Sequence, residues 1–361
     1  MIRRFLAVFE PFILMLLGTV VLASFLPARG VWATVASYAA DIAIVLLFFL
    51  HGAKLSREAI VAGLRNWKLH LAVLAVTFVA FPLLGLGMRA LPFLDPRLAA
   101  GLLFLTLLPS TVQSSIAFTA IARGNVAAAV CSASFSNLIG IVVTPALVAL
   151  LMSTSGSGGV SIGSVEAIVL QLLVPFVAGH LLRPWIGAWV TRRKAMLTLV
   201  DRGSILLVVY SAFGAAVVEG LWHRVSAGDL VLVSVLCCVL LAFVLALTLA
   251  VARLMKLPRE DAIVLQFCGS KKSLASGVPM AGVLFPAAQV GVILLPVMLF
   301  HQIQLIACAV IARRYAGGRS LPRLIRRRPD QRGQSNSRPS SSLPPVILTK
   351  VRTQGHERQR L

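Results

Sequence analysis

The chain has 361 residues, 58% of them hydrophobic and only 13% charged, with a mean hydropathy of +0.91. Soluble domains carry about 25% charged and about 45–50% apolar residues, so a water-soluble globule is excluded, as is disorder over most of the length. The net charge of +22 is uneven: from Arg313 onward 13 Lys and Arg face only Asp330 and Glu357, which accounts for about half of it.

A helix needs about 20 mostly apolar residues to cross the hydrocarbon. Ten stretches fit, near 11–27, 34–53, 69–91, 97–122, 125–152, 164–182, 203–220, 229–253, 260–285 and 289–312. The fold class is therefore an all-α polytopic membrane protein. The first span follows Arg3 and Arg4 and has a small-residue site at Leu22-Ala23-Ser24, yet it reads as a retained helix because ten spans give one consistent topology. With the N terminus inside, inner loops hold 15 cations before the tail is counted. Outer loops hold four, Arg29, Arg89, Arg97 and Arg224. That asymmetry places both termini in the cytoplasm at the cell inner membrane. Two longer connections, Ser56–Lys68 and Arg183–Arg202 with Trp185 and Trp189, are expected in the interface.

The fourth and ninth spans are interrupted by polar residues. One contains Pro109-Ser110-Thr111-Val112-Gln113-Ser114-Ser115, the other Gly269-Ser270-Lys271-Lys272-Ser273. Each is the fourth element of a five-span half, which is the sequence sign of an inverted-repeat transporter with broken helices at its site. The boundaries are then a cytoplasmic N terminus 1–10, repeats 11–152 and 164–312, a loop 153–163 and a disordered basic tail 313–361. Lys271 and Lys272 fall near mid-membrane, where a cation costs about 2.5–3.5 kcal/mol on insertion scales. Pairing with Asp41 or Glu166 is one account of them; a polar cavity is the better one. Ser132, Ser134, Ser136, Asn137 and Thr144 of the fifth span and His301, Gln302 and Gln304 of the tenth are expected to face the interruptions. Cys131, Cys237, Cys238, Cys268 and Cys308 lack metal-ligand spacing and read as buried small residues.

Several motifs, taken in order, carry a resemblance: Phe49-Leu50-His51-Gly52-Ala53-Lys54-Leu55-Ser56, Lys68-Leu69-His70-Leu71, Ala122-Arg123-Gly124-Asn125, Gly140-Ile141-Val142-Val143-Thr144-Pro145, Leu173 through Trp185, and Lys272-Ser273-Leu274-Ala275-Ser276-Gly277. Over residues 10–312 the chain resembles the bile acid:sodium symporter family, in its bacterial symporter branch near the seventh vertebrate member. The resemblance implies a panel of spans 1, 2, 6 and 7, and a core of spans 3–5 and 8–10 with two crossing broken helices. It also implies sodium sites beside the crossing. Carried over, the family's Ser-Asn pair falls on Ser115 and Ile116, its hydroxyl ligands on Ala129 and Ala133, its bridging glutamate on Gln266 and a glutamine ligand near Thr77. Only Ser115, Thr77, Gln266 and carbonyls near Gly269 and Ser270 keep ligand character.

With lysines beside such a site, the reading is a secondary transporter of a small organic anion. A lysine ammonium, first of all that of Lys272, stands where sodium would, which gives proton coupling or an uncoupled carrier. Substrate-binding or coupling candidates are Lys272, Lys271, Ser270, Ser273, Gln266, Ser114, Ser115, Gln113, Asn137, Gln304 and His301. A weak sodium site would use Ser115, Thr77 and Gln266. The alternatives are a non-transporting membrane regulator of ion homeostasis and a sodium-coupled symporter with rearranged ligands. The metalloprotease motif HExxH does not occur. The tail has no aromatic after Tyr315, so anionic lipid is its expected partner rather than nucleic acid.

Overall fold

The computed structural model describes residues 11–54, 66–152 and 169–317. The expectations for the N terminus 1–10, the loop 153–163, Glu166 and the tail beyond 317 lie outside these residues, as does most of the Ser56–Lys68 connection. The described residues are helical, with no strand among them.

In chain order the helices are α1 (Pro11–Phe25), α2 (Val31–Lys54), α3 (Trp67–Arg89), α4 (Pro96–Leu107), α5 (Gln113–Ile121) and α6 (Val126–Met152). They continue with α7 (Val174–Arg192, preceded by a π-turn at Val169–Leu173), α8 (Lys194–Val218) and, after a single helical turn at Leu221–Arg224, α9 (Ala227–Leu254). The last are α10 (Arg259–Gly269), α11 (Leu274–Leu284) and α12 (Ala287–Ala316). Six helices among the described residues are long and apolar enough to cross a membrane. The pairs α4/α5 and α10/α11 are shorter pieces, separated where the sequence places its interruptions.

Local chemistry explains the ends. Asp95 caps α4 by accepting from the Arg97 and Leu98 N–H groups, with Pro96 at the first helical position. Ser226 and Asp229 form a reciprocal capping box on α9. Leu108 precedes a proline and is extended (φ −71°, ψ 153°), which stops α4. Ser273 restarts the chain by accepting from the Ser276 N–H at 3.1 Å.

Helices α1, α2, α7 and α8 pack on one another, while α3–α6 and α9–α12 form a second group joined to the first chiefly through α8 against α11 and α12. The interrupted helices are central. All residues from Ala262 to Gly269 are buried, as α4 is from Leu102 to Leu107, whereas α9 exposes Val231, Val235, Val239 and Phe243 along one side. A helix that is apolar all round belongs in the interior.

One expectation is made more specific and one is corrected. The Arg183–Arg202 connection is helix, since α7 runs to Arg192 and α8 begins at Lys194. Val190 and Leu197 pack with Leu50 and Ala53 in a small apolar cluster, and that packing holds the helix despite Pro184. Cys238 is exposed rather than buried, because it lies on the outward side of α9; the other four cysteines are buried.

Candidate functional site

The site is where the two interruptions meet. The Ser273 N–H donates to the Pro109 carbonyl at 2.8 Å. Ser110 Oγ donates to the Cys268 carbonyl and Ser115 Oγ to that of Phe267. Backbone outside a helix still needs partners at this depth, and polar side chains of α6 and α12 supply them. The Ser110 N–H donates to Ser136 Oγ at 2.9 Å, and Thr144 Oγ1 donates to the Leu107 carbonyl at 2.8 Å. Asn137 Nδ2 donates to the Ser110 carbonyl at 2.7 Å while its Oδ1 accepts from Ser276 Oγ at 2.8 Å, tying one interruption to the other. Gln304 accepts from the Lys272 N–H and donates to the Lys272 carbonyl, both at 2.9 Å, and its Nε2 lies 2.9 Å from His301 Nδ1. Asn137→Ala should therefore lower stability by about 1–3 kcal/mol, the cost of leaving the Ser110 carbonyl unpaired. Thermal unfolding of the detergent-solubilised protein reads this as a lowered midpoint.

Both lysines are buried, at 0% and 1% exposure. Neither pairs with a carboxylate among the described residues, where the ion pair found is Lys54 with Asp201. Lys271 Nζ lies 4.0 Å from the Phe118 ring centroid and 5.6 Å from that of Phe267. Its hydrogen bond to Ser114 Oγ is long, 3.4 Å. Lys272 Nζ donates to three backbone carbonyls, Thr77 at 2.8 Å, Thr106 at 2.7 Å and Leu108 at 2.8 Å, with the Phe81 ring at 4.1 Å.

Prolines make those carbonyls available. In the π-turn Val76–Ala80 of α3 the Phe81 N–H bonds to the Val76 carbonyl, so it leaves that of Thr77, and the next residue, Pro82, has no N–H to offer. Beyond α4, Pro109 breaks the helix, and the Ser110 N–H that would have bonded Thr106 goes to Ser136 instead.

A cavity of about 740 Å³ adjoins the crossing. Thr111, Gln113, Ser114, Asn137, Ser273 and His301 line its polar end. Lys54, Arg183, Asp201 and Arg202 line the other end, with Leu47, Phe48, Phe176 and Ile205 between. Among the described residues Arg183 Nη1 and Asp201 Oδ1 lack hydrogen-bond partners.

Of the candidates from sequence, Gln113, Ser114, Asn137, Ser273 and His301 meet at the cavity. Lys271, Lys272, Ser270, Ser115, Gln266 and Gln304 do not line it. Ser270 Oγ turns back onto the Gln266 carbonyl. Gln302 has no partner for either amide atom among the described residues, and Ser132 bonds His70 at 2.7 Å rather than the crossing.

Most of the oxygens proposed for sodium are engaged elsewhere. Ser115 Oγ bonds Phe267 and Thr111, Gln266 Oε1 accepts from Tyr315 at 2.6 Å, and the Thr77 carbonyl takes the Lys272 ammonium. Thr77 Oγ1 alone has no partner among the described residues. That set does not fit a sodium ion. Among the described residues no group of three or more His, Cys, Asp or Glu could hold a metal.

Sequence reasoning missed Asp201 and the charged end of the cavity. A carboxylate on the polar margin of an apolar span was the available signal. The carbonyl acceptors of Lys272 had none.

Residues 10–317 match the SBF-like CPA transporter family. The chain is 58% identical over 309 residues to "Uncharacterized protein PA2026" of Pseudomonas aeruginosa, covering 85% of this chain and 93% of that one. It is 54% identical over 310 residues to "Putative symporter YfeH" of Escherichia coli, with the same coverage. It is 27% identical over 276 residues to "Sodium/bile acid cotransporter 7" of Rattus norvegicus, covering 75% and 81%. With this match and helices that can cross a membrane, the chain is a multi-pass membrane protein and belongs to the SBF-like CPA transporter family, within the bile acid:sodium symporter superfamily.

Proposed function

We propose that this protein is a secondary transporter that carries a small organic anion across the inner membrane by alternating access. The observation that carries the reading is the cavity, which runs from the crossing of the broken helices to a mouth holding Lys54, Arg183 and Arg202 against the single carboxylate of Asp201. About 740 Å³ is the size of a site for a small organic molecule. Its apolar middle suits a hydrocarbon body, its cationic mouth a carboxylate or similar group. The hydroxyls and amides at the crossing would orient a polar end.

In this reading the chain crosses ten times, as two five-span inverted repeats, with α4/α5 and α10/α11 each making one broken span. Helices α1, α2, α7 and α8 are the panel, and the others the core. Cytoplasmic termini put the charged mouth on the inner side, so the cavity faces inward. The basic tail beyond residue 317 would lie against anionic lipid. The words "symporter" and "cotransporter" in the relatives' names support transport.

The test is counterflow in proteoliposomes loaded with a panel of organic anions. Exchange of a labelled anion above that of protein-free vesicles is expected; its absence across the panel would reject a carrier in favour of a protein that does not transport. Arg183→Gln should raise the half-saturating anion concentration about tenfold, equivalent to about 1.4 kcal/mol, with protein yield unchanged.

A further inference from the structure

We propose that the Lys272 ammonium is a built-in monovalent cation of the helix crossing, so that the crossing is held without sodium and Lys272 is not a carrier of protons. The inference rests on the transporter reading for what the crossing serves, but its geometry stands independently.

Three backbone carbonyls converge on Nζ at 2.7–2.8 Å. They come from the π-turn of α3 and the broken end of α4, and Pro82 and Pro109 have removed or diverted their usual donors. A ring of freed carbonyl oxygens at a half-helix C-terminus is what a monovalent cation would seek. Here the cation is covalently attached. An ammonium has three N–H groups, and three acceptors at hydrogen-bond length use all of them. A neutral amine would leave one carbonyl facing a lone pair. The Phe81 ring at 4.1 Å favours the charged form further.

The chain around the cation is fixed as well. Gln304 grips the Lys272 N–H and carbonyl, and the next residue bonds Pro109. A free sodium ion beside this ammonium would meet like charge, and the Ser115 hydroxyl, the Gln266 amide oxygen and the Thr77 carbonyl are already bonded. Lys271 is built differently. Its Nζ has one long bond, to Ser114 on the cavity wall. The two adjacent lysines therefore divide the work, Lys272 as a cation of the framework and Lys271 as a charge just behind the cavity surface.

The full chain, purified in detergent, is unfolded thermally in sodium chloride and in choline chloride at equal ionic strength. The wild-type midpoint should be the same in both. Lys272→Ala should lower it, and sodium or methylammonium, small enough to enter the vacated ring, should restore about half of the loss saturably where choline does not. Lys271→Ala should show no such restoration.

A saturable stabilisation of the wild type by sodium over choline would overturn the proposal. So would a Lys272→Ala protein with a wild-type midpoint, or one indifferent to every small cation. Restoration of Lys271→Ala equal to that of Lys272→Ala would overturn it too. Should Lys272→Ala give no folded protein, the wild-type titration decides alone. These readouts do not require transport, so absent counterflow would reject the transporter reading while leaving this result intact.

Discussion

Gly52→Ala should sharply reduce the yield of folded protein, and Gly179→Ala should do the same. Helices α2 and α7 approach so closely here that a Cβ on Gly52 would lie 2.0 Å from the Phe176 carbonyl oxygen, and one on Gly179 would lie 2.0 Å from that of Phe49. The contact is nearly reciprocal, with each helix carrying a Phe-x-x-Gly whose glycine admits the other's phenylalanine carbonyl. Carbon and oxygen normally approach no closer than about 3.3 Å, so the helices would have to part by more than an ångström. The obstructing atom belongs to a peptide group and cannot swing aside as a side chain could. Overpacking of this kind costs about 3 kcal/mol or more, a large share of typical stability. Small residues at such crossings are how helices in lipid gain packing. Gly203→Ala on α8 is the control. A Cβ there meets nothing within 4 Å, so the substitution should be neutral or stabilising by about 0.5–1 kcal/mol. Size-exclusion profiles and thermal midpoints of the three variants in detergent check the set.

Gln304→Leu should be nearly as damaging while keeping side-chain volume. The amide replaces helical hydrogen bonding at Lys272, which has left one helix and not yet joined the next. Leucine removes both bonds and leaves an N–H and a carbonyl buried without partners. Each stranded group costs about 1–3 kcal/mol, which totals about 2–6 kcal/mol and loosens the backbone that carries the ammonium. Gln304→Glu separates the two bonds. A carboxylate can still accept from the Lys272 N–H but presents oxygen to its carbonyl, so its loss should be no smaller than that of leucine. Thermal unfolding measures both variants, and counterflow should fall with them because the crossing loses its geometry.

The interruptions were legible because Pro109 and the Gly269–Ser273 run violate what a lipid-buried helix requires. The polar residues of α6 and α12 were legible for the same reason, and Ser136, Asn137, Thr144 and Gln304 do serve the interruptions. Ser132 was not separable from them by type or position. Which way one serine points depends on the partner that packing brings, here His70. Helix ends were the least legible. Expected ends at 182 and 312 became Arg192 and Ala316, since a helix continues beyond the hydrocarbon wherever neighbours support it.

By itself, the sequence determined that the chain lives in lipid, that two helices are interrupted by polar residues, and that two lysines lie deep among apolar residues. Hydropathy and helix-breaking chemistry are local properties, readable in order along a chain. The tertiary structure alone decided that Lys272 is held by carbonyls of Thr77, Thr106 and Leu108, 195, 166 and 164 residues away, while Lys271 rests on phenylalanine rings behind the cavity. Every residue carries the same carbonyl, so a carbonyl site has no side-chain signature. It exists only where prolines free those oxygens and folding brings them together.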